Sequence, residues 1–215
     1  MKGKAQFLGL SHIEKLNFLT HGASFALVLV TAPILLIRAF QFDDSWLVRI
    51  TILGFLIATL IMFGTSTMYH FSQDAERKRQ WRLADHIGIY VMIAGSYAPV
   101  LAIYFWQPKG QVIFIVMWLI ALAGAVFKWF ATGKYDLLST LLYVLMGLSI
   151  LTVSDDFFPL LPANVKFYLI LGGLSYLVGV FFYLFKYWSY HHPVWHLFVM
   201  GGAFSHWWAV WLALT

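Results

Sequence analysis

No cysteine occurs in the 215 residues, which excludes disulfide frameworks, thiolate zinc sites and cysteine nucleophiles. Any metal must therefore be held by His, Asp or Glu. Charge is scarce as well: Asp, Glu, Lys and Arg make up 11% of the chain, against about 25% in a soluble domain. That leaves too little polar surface to cover a water-facing shell. No Gly-rich phosphate loop, GxSxG elbow or sustained heptad pattern is present. A net charge of +5 would suggest nucleic acid in a soluble protein. In a chain of mean hydropathy +0.79, it is read instead as Lys and Arg at a cytoplasmic membrane surface, and no nucleic-acid partner is expected.

What the chain has in abundance is apolar residues, 61% of the total. A helix crossing a bilayer needs roughly 20 mostly apolar residues. Seven such stretches lie near residues 18–39, 47–70, 85–105, 111–131, 137–154, 165–186 and 194–214. Short polar breaks separate them, several punctuated by Gly or Pro. The prediction is an all-α integral membrane protein, a seven-transmembrane helix bundle in which residues 1–215 form a single domain. The basic start precedes an apolar stretch without a small-residue cleavage site, so a retained first span is expected rather than a signal peptide, with no soluble domain at either end.

Charge sets the orientation. A cytoplasmic N-terminus puts Lys2, Lys4, Lys15, Arg77, Lys78, Arg79, Arg82, Lys128, Lys134 and Lys186 inside. It leaves Arg38, Arg49, Lys109 and Lys166 outside, a ratio of ten to four, together with the acidic pairs at 43–44 and 155–156. The positive-inside rule then predicts the N-terminus inside and the C-terminus outside. In that arrangement His70, closing the second span, Asp85, opening the third, and His192 and His196, opening the seventh, lie at one depth on the cytoplasmic side.

His192 and His196 are spaced i, i+4 and project from one helical face. Two imidazoles at that spacing can share an ion, as in HExxH helices, and His70 is at the right depth to supply a third ligand. Three histidines with an open fourth position are the pattern of catalytic rather than structural zinc. The bland alternative is a set of interfacial histidines bonded to carbonyls. Asp85 is open to two readings: an ion pair with an arginine of the 77–82 run, or a group that orients water or a ligand histidine. Ser66, one turn before His70, either bonds the i−4 carbonyl or donates to a developing oxyanion. Glu14, Asn17 and His21 fall on one helical stripe, with Glu14 and Asn17 readable as no more than a solvated helix start. His206 lies about 15 Å along a helix from His196, too far for the same ion, and a buried hydrogen bond is expected. His12, His86 and His191 are placed at interfaces without a role. Gly, Ser and Pro in "AGSYAPV" (94–100) are expected to serve close helix packing and a local kink.

These motifs resemble the hemolysin III family, the bacterial branch of the progestin and adipoQ receptor (adiponectin receptor-like) proteins. The resemblance lies in E-x2-N-x3-H (Glu14, Asn17, His21), S-x3-H (Ser66, His70), "ADHIGIYVMIAGSYAPV", "LLYVLMG" and the H-x3-H of "HHPVWHLFVMGGAFSH". It runs in order over essentially the whole chain, departing at Ala98 where the pattern has Thr or Ser. It implies a seven-helix bundle with the N-terminus inside, and a zinc ion held by His70, His192 and His196. It also implies an aspartate beside the ion, Asp85, and the motif serine, Ser66. The wider superfamily includes alkaline ceramidases and implies metal-dependent hydrolysis of lipid amides.

Two functions are expected to compete. One is a zinc-dependent hydrolase acting on a lipid amide or ester, with Asp85 and Ser66 as catalytic groups. The other is a non-enzymatic lipid sensor or homeostasis factor with a structural zinc. The partners expected are membrane lipids or free fatty acid, in the bacterial cytoplasmic membrane. A channel or transporter is third, because few polar residues are spread through the membrane depth.

Overall fold

The structure, a computed structural model, describes residues 6–42 and 44–215. Lys2, Lys4 and Asp43, which entered the charge argument, lie outside the described residues. Long helices follow one another in the order α1 (His12–Phe42), α2 (Trp46–Phe71), α3 (Ala75–Tyr104), α4 (Pro108–Ala131), α5 (Asp136–Leu148), α6 (Ala163–Leu184) and α7 (His191–Ala213). No strand is present among the described residues. Among the described residues, six helical segments are long and apolar enough to cross a membrane, the fifth being the composite Asp136–Leu160. The seventh, α7, falls outside that group.

Helix boundaries extend beyond the apolar stretches wherever local chemistry permits. The polar "AERKRQWRL" before Asp85 is helical rather than a loop, so Asp85 lies about 15 Å into α3. Charged residues favour helix, and the break is confined to Ser72–Asp74. There the Asp74 carboxylate caps α3 by accepting from the Arg77 backbone N–H at 2.9 Å. Pro108 starts α4 at a position where its missing N–H is not needed.

The fifth segment is interrupted. After Leu148 the chain passes through a 3-10 stretch (Ser149–Val153), one short turn (Ser154–Phe157) and a second 3-10 turn (Phe158–Leu160). Tyr97 of α3 explains how the interruption is tolerated. Its hydroxyl lies 2.7 Å from the Met146 carbonyl and 3.0 Å from that of Gly147, and accepts from the Ile150 N–H at 3.3 Å. Backbone groups freed from the α-helical ladder thus find a partner, as a non-aqueous setting demands.

α2 and α3 form the centre, and their packing depends on small residues. A Cβ on Gly95 would lie 2.6 Å from the Ala58 side chain, and one on Gly88 would lie 3.1 Å from the Met62 backbone. Phe55, Phe63 and Tyr90 fill the space around this close crossing. Around it, the outer helices expose Val30, Leu119, Leu145 and Phe181. So extensive an apolar surface is foreign to a soluble monomer. The chain is an integral membrane helical protein, with its lipid-facing side chains on the outside.

Candidate metal centre

The end of α2 and the start of α7 meet. His70, buried in the last turn of α2, brings its Nε2 to 3.3 Å from His192 Nε2. His196, one turn further along α7, completes a group whose ligand atoms lie within 4.8 Å of one another. His70 and His196 are buried and His192 is partly buried. Two tetrahedral zinc ligands at about 2.05 Å from an ion lie about 3.3 Å apart, so the His70–His192 approach suits a shared ion. A lone N–H···N hydrogen bond would suit it as well. His196 is 0% exposed and its Nε2 has no hydrogen-bond partner; an ion would satisfy that nitrogen, although buried His21 also leaves both ring nitrogens unpartnered without joining the group.

The opposite nitrogens are already committed, which sets the tautomers. His70 Nδ1 lies 2.6 Å from Glu14 Oε2, so its N–H donates to the carboxylate and the Nε2 lone pair is free. Lys78 Nζ donates to the other oxygen, Glu14 Oε1, at 2.5 Å. His196 Nδ1 lies 3.1 Å from Thr20 Oγ1. The Thr20 proton is directed to the Leu16 and Asn17 carbonyls, each 2.9 Å away. Thr20 therefore accepts from Nδ1–H, and His196 also offers Nε2. Carboxylate and hydroxyl partners of this kind orient ligand histidines and raise their basicity.

Helix α1 thus forms the outer support of the centre. Glu14 and Asn17 are not a solvated helix start: Glu14 bridges α2 and α3, and Asn17 is buried. His21 lies flat on His196, ring centroids 3.6 Å apart at 10°, and meets the edge of Phe63. It restricts the plane of a candidate ligand without joining the group. Sequence reasoning missed Thr20 altogether, although it stands three residues after Asn17 on the inward stripe.

Asp85 is 6% exposed and near enough to His70 to interact electrostatically. It forms no ion pair with the arginines of 77–82: Arg79 pairs with Glu76 and Arg82 with Asp136. Its closest ionic neighbour is His86 Nδ1 at 3.9 Å, but that nitrogen is committed to the Arg82 carbonyl at 2.7 Å. Ser66 is buried and turned toward Asp85 from α2, and its hydroxyl has no partner at hydrogen-bond distance. It does not bond the i−4 carbonyl.

Asp85 and His192 both face a cavity of about 720 Å³ between α3, α5, α6 and α7. The cavity is polar at the metal end, where Tyr69, Arg82, His86 and Asp136 contribute, and apolar at the other, around Val100, Leu101, Phe157 and Leu169. His86 and His191 line it, a setting that interfacial placement did not anticipate. His206 also lines it, deeper in, with its Nε2 3.3 Å from the Leu169 carbonyl. That contact is the hydrogen bond expected of it, part-buried rather than fully buried.

Comparison with known proteins decides the lineage. The sequence pattern of the family described as "Haemolysin-III related" matches residues 10–207. The chain belongs to the haemolysin III family. It is 36% identical over 192 residues to the "Hemolysin-3 homolog" of Bacillus subtilis (strain 168), covering 88% of this chain and 89% of that one. It is 32% identical over 191 residues to "Hemolysin-3" of Bacillus cereus, covering 88% and 86%. A human relative, "Monocyte to macrophage differentiation factor", is 29% identical over 175 residues, 79% of this chain and 72% of that one. The protein is thus a member of the bacterial, haemolysin III branch of the progestin and adipoQ receptor superfamily.

Proposed function

We propose that this protein is a membrane-embedded zinc-dependent hydrolase acting on a lipid amide or ester in the bacterial cytoplasmic membrane, where it contributes to membrane homeostasis. The observation that carries this reading is the opening of His192, one of the histidine group, and of Asp85 into one amphiphilic cavity. His70, His192 and His196 would hold the ion, leaving a fourth position toward the cavity. Zinc in such a setting supplies Lewis acidity and activates water near neutral pH. Asp85 would accept the proton of the attacking water and return it to the leaving group. The Ser66 hydroxyl, buried without a partner, would donate to charge developing on the carbonyl oxygen. The apolar end of the cavity would hold the acyl chain and keep water from it.

The topology proposed is seven spans with the N-terminus and the metal centre on the cytoplasmic side, residues 1–215 forming one domain. α7 has 23 residues, about 34 Å of helix, enough for a bilayer core of about 30 Å. Lys15, Arg77, Lys78, Arg79 and Arg82 gather at the metal end, while Arg38, Arg49, Lys109 and Lys166 lie at the other. The alternative is a non-enzymatic sensor in which the ion staples the chain. It is favoured by one observation: the group joins α2 to α7, with α1 attached through Glu14 and Thr20.

Asp85→Asn separates the two. Elemental analysis of the purified protein should give about one zinc per chain, lost in His192→Ala and retained in Asp85→Asn. Lipid turnover in proteoliposomes, with lipidomics of cells lacking or overproducing the protein to identify the substrate, should fall in Asp85→Asn by about 100-fold or more. Unaltered turnover in that variant, or wild-type protein purified without chelator and free of zinc, overturns the hydrolase.

A further inference from the structure

The polar end of the cavity is lined by Arg82 and Lys186 and by Asp85 and Asp136, with Lys128 buried behind them. Asp136, in the first turn of α5, faces two cations. Its Oδ1 lies 3.3 Å from Lys128 Nζ and its Oδ2 3.3 Å from Arg82 Nη2. Lys128 is fully buried, and no second acceptor reaches its ammonium among the described residues. Asp85, three residues along α3 from Arg82, makes no ion pair with it. His86 Nε2 approaches Asp136 Oδ1 only to 3.9 Å, so it does not replace either cation. One carboxylate is shared by a guanidinium and an ammonium, and the exposed Lys186 lines the same cavity from the connection between α6 and α7. Both contacts to Asp136 are long for charge-assisted hydrogen bonds, and the Arg82 side chain is 37% exposed, so its guanidinium is open to a further anionic partner.

We propose that Arg82, with Lys128 behind it and Lys186 on the cavity wall, binds the phosphate of an anionic lipid headgroup whose chain occupies the cavity. A guanidinium fork with nearby ammonium groups matches the several oxygens of a phosphate. A zwitterionic headgroup would bring a further cation to Arg82, and a fatty carboxylate would present only two oxygens. Position along α3 agrees. Arg82 precedes Asp85 by about 4.5 Å of helix rise, and the wall beyond Asp85 continues through Ile89 and Ile93 to Val100. A phosphate on Arg82 therefore leaves the junction of head and chain beside Asp85 and His192, with the chain running to the apolar end. This inference rests on the reading of the cavity as a lipid site and narrows it to phosphate-bearing lipids.

Binding of dioleoyl phosphatidic acid, dioleoyl phosphatidylcholine, oleic acid and inorganic phosphate to the detergent-purified full chain, measured by native mass spectrometry, tests it. Wild-type protein should prefer phosphatidic acid over phosphatidylcholine and oleic acid by about tenfold or more. Arg82→Gln leaves Lys128 and Asp136 as a balanced pair and should remove most of that preference. Lys186→Gln, in an exposed connection, should reduce it while sparing the fold. His192→Ala should lose the metal and keep the preference, so a failed hydrolase with an intact headgroup preference refutes only the proposed reaction. Equal binding of phosphatidic acid and phosphatidylcholine by wild type overturns the proposal. So does an unchanged preference in both Arg82→Gln and Lys186→Gln. Oleic acid binding as well as phosphatidic acid would mark a carboxylate site, and inorganic phosphate binding as tightly as the lipid would mark a free-phosphate site; either overturns it.

Discussion

Glu14 shows how a side chain changes meaning once its neighbours are known. In the sequence it is an acidic residue at the start of a helix, where such residues are common. In the fold both its oxygens are occupied, one by His70 Nδ1 and the other by Lys78. The H-x3-H pair was legible because i, i+4 spacing is a local rule, whereas the Glu14–His70 contact spans 56 residues and has no local signature. Glu14→Gln keeps the size of the side chain but removes its charge and one acceptor oxygen. Metal affinity, measured by competition with a chromophoric chelator, should fall about 10- to 100-fold. An unchanged affinity would show that the His70 tautomer is set by other means.

Helices α2 and α3 illustrate a different limit. Their existence followed from apolar length, and the small residues in "AGSYAPV" suggested a close approach. Which neighbour each glycine meets is decided only by the crossing. Gly95→Ala places a methyl 2.6 Å from the Ala58 side chain and should destabilise the chain by about 1–3 kcal/mol. Gly54→Ala meets nothing within 4 Å and should be neutral or slightly stabilising through helix propensity. Thermal unfolding in detergent of both variants checks the contrast. Equal stability would mean that α2 and α3 separate without loss. The broken fifth segment was legible only as an apolar stretch of uncertain extent, because the Tyr97 hydroxyl that makes its 3-10 turns tolerable comes from α3.

Across the molecule, the histidine group joins the second helix to the last, and α1 is tied to both. An ion bound only by the folded arrangement stabilises it by mass action, about 2.7 kcal/mol at one hundred times Kd. Chelation should then lower Tm by on the order of 5–10 °C for a chain of this size. His192→Ala should unfold at the chelated temperature and no longer respond to chelator. Acidification acts in the same direction, since protonated imidazoles cannot ligate and metal affinity falls with falling pH. A wild-type Tm indifferent to chelator would contradict a stapling role for the ion.

By itself the sequence determined the membrane class, the apolar helices and the i, i+4 histidine pair of the candidate centre. Each depends on composition or on spacing within one helix, and those are properties of short stretches. Only the tertiary structure decided that α1 supports the candidate ligands, that Thr20 and Glu14 direct two imidazole lone pairs, that Asp85 is released from the basic run before it, and that Lys128 is buried on a shared carboxylate. Each of these is a contact of about 3–4 Å, or the absence of one, between groups on different helices or turns. Such contacts depend on how helices cross and rotate against one another, and in a bilayer that is governed by packing rather than by hydrophobic pattern.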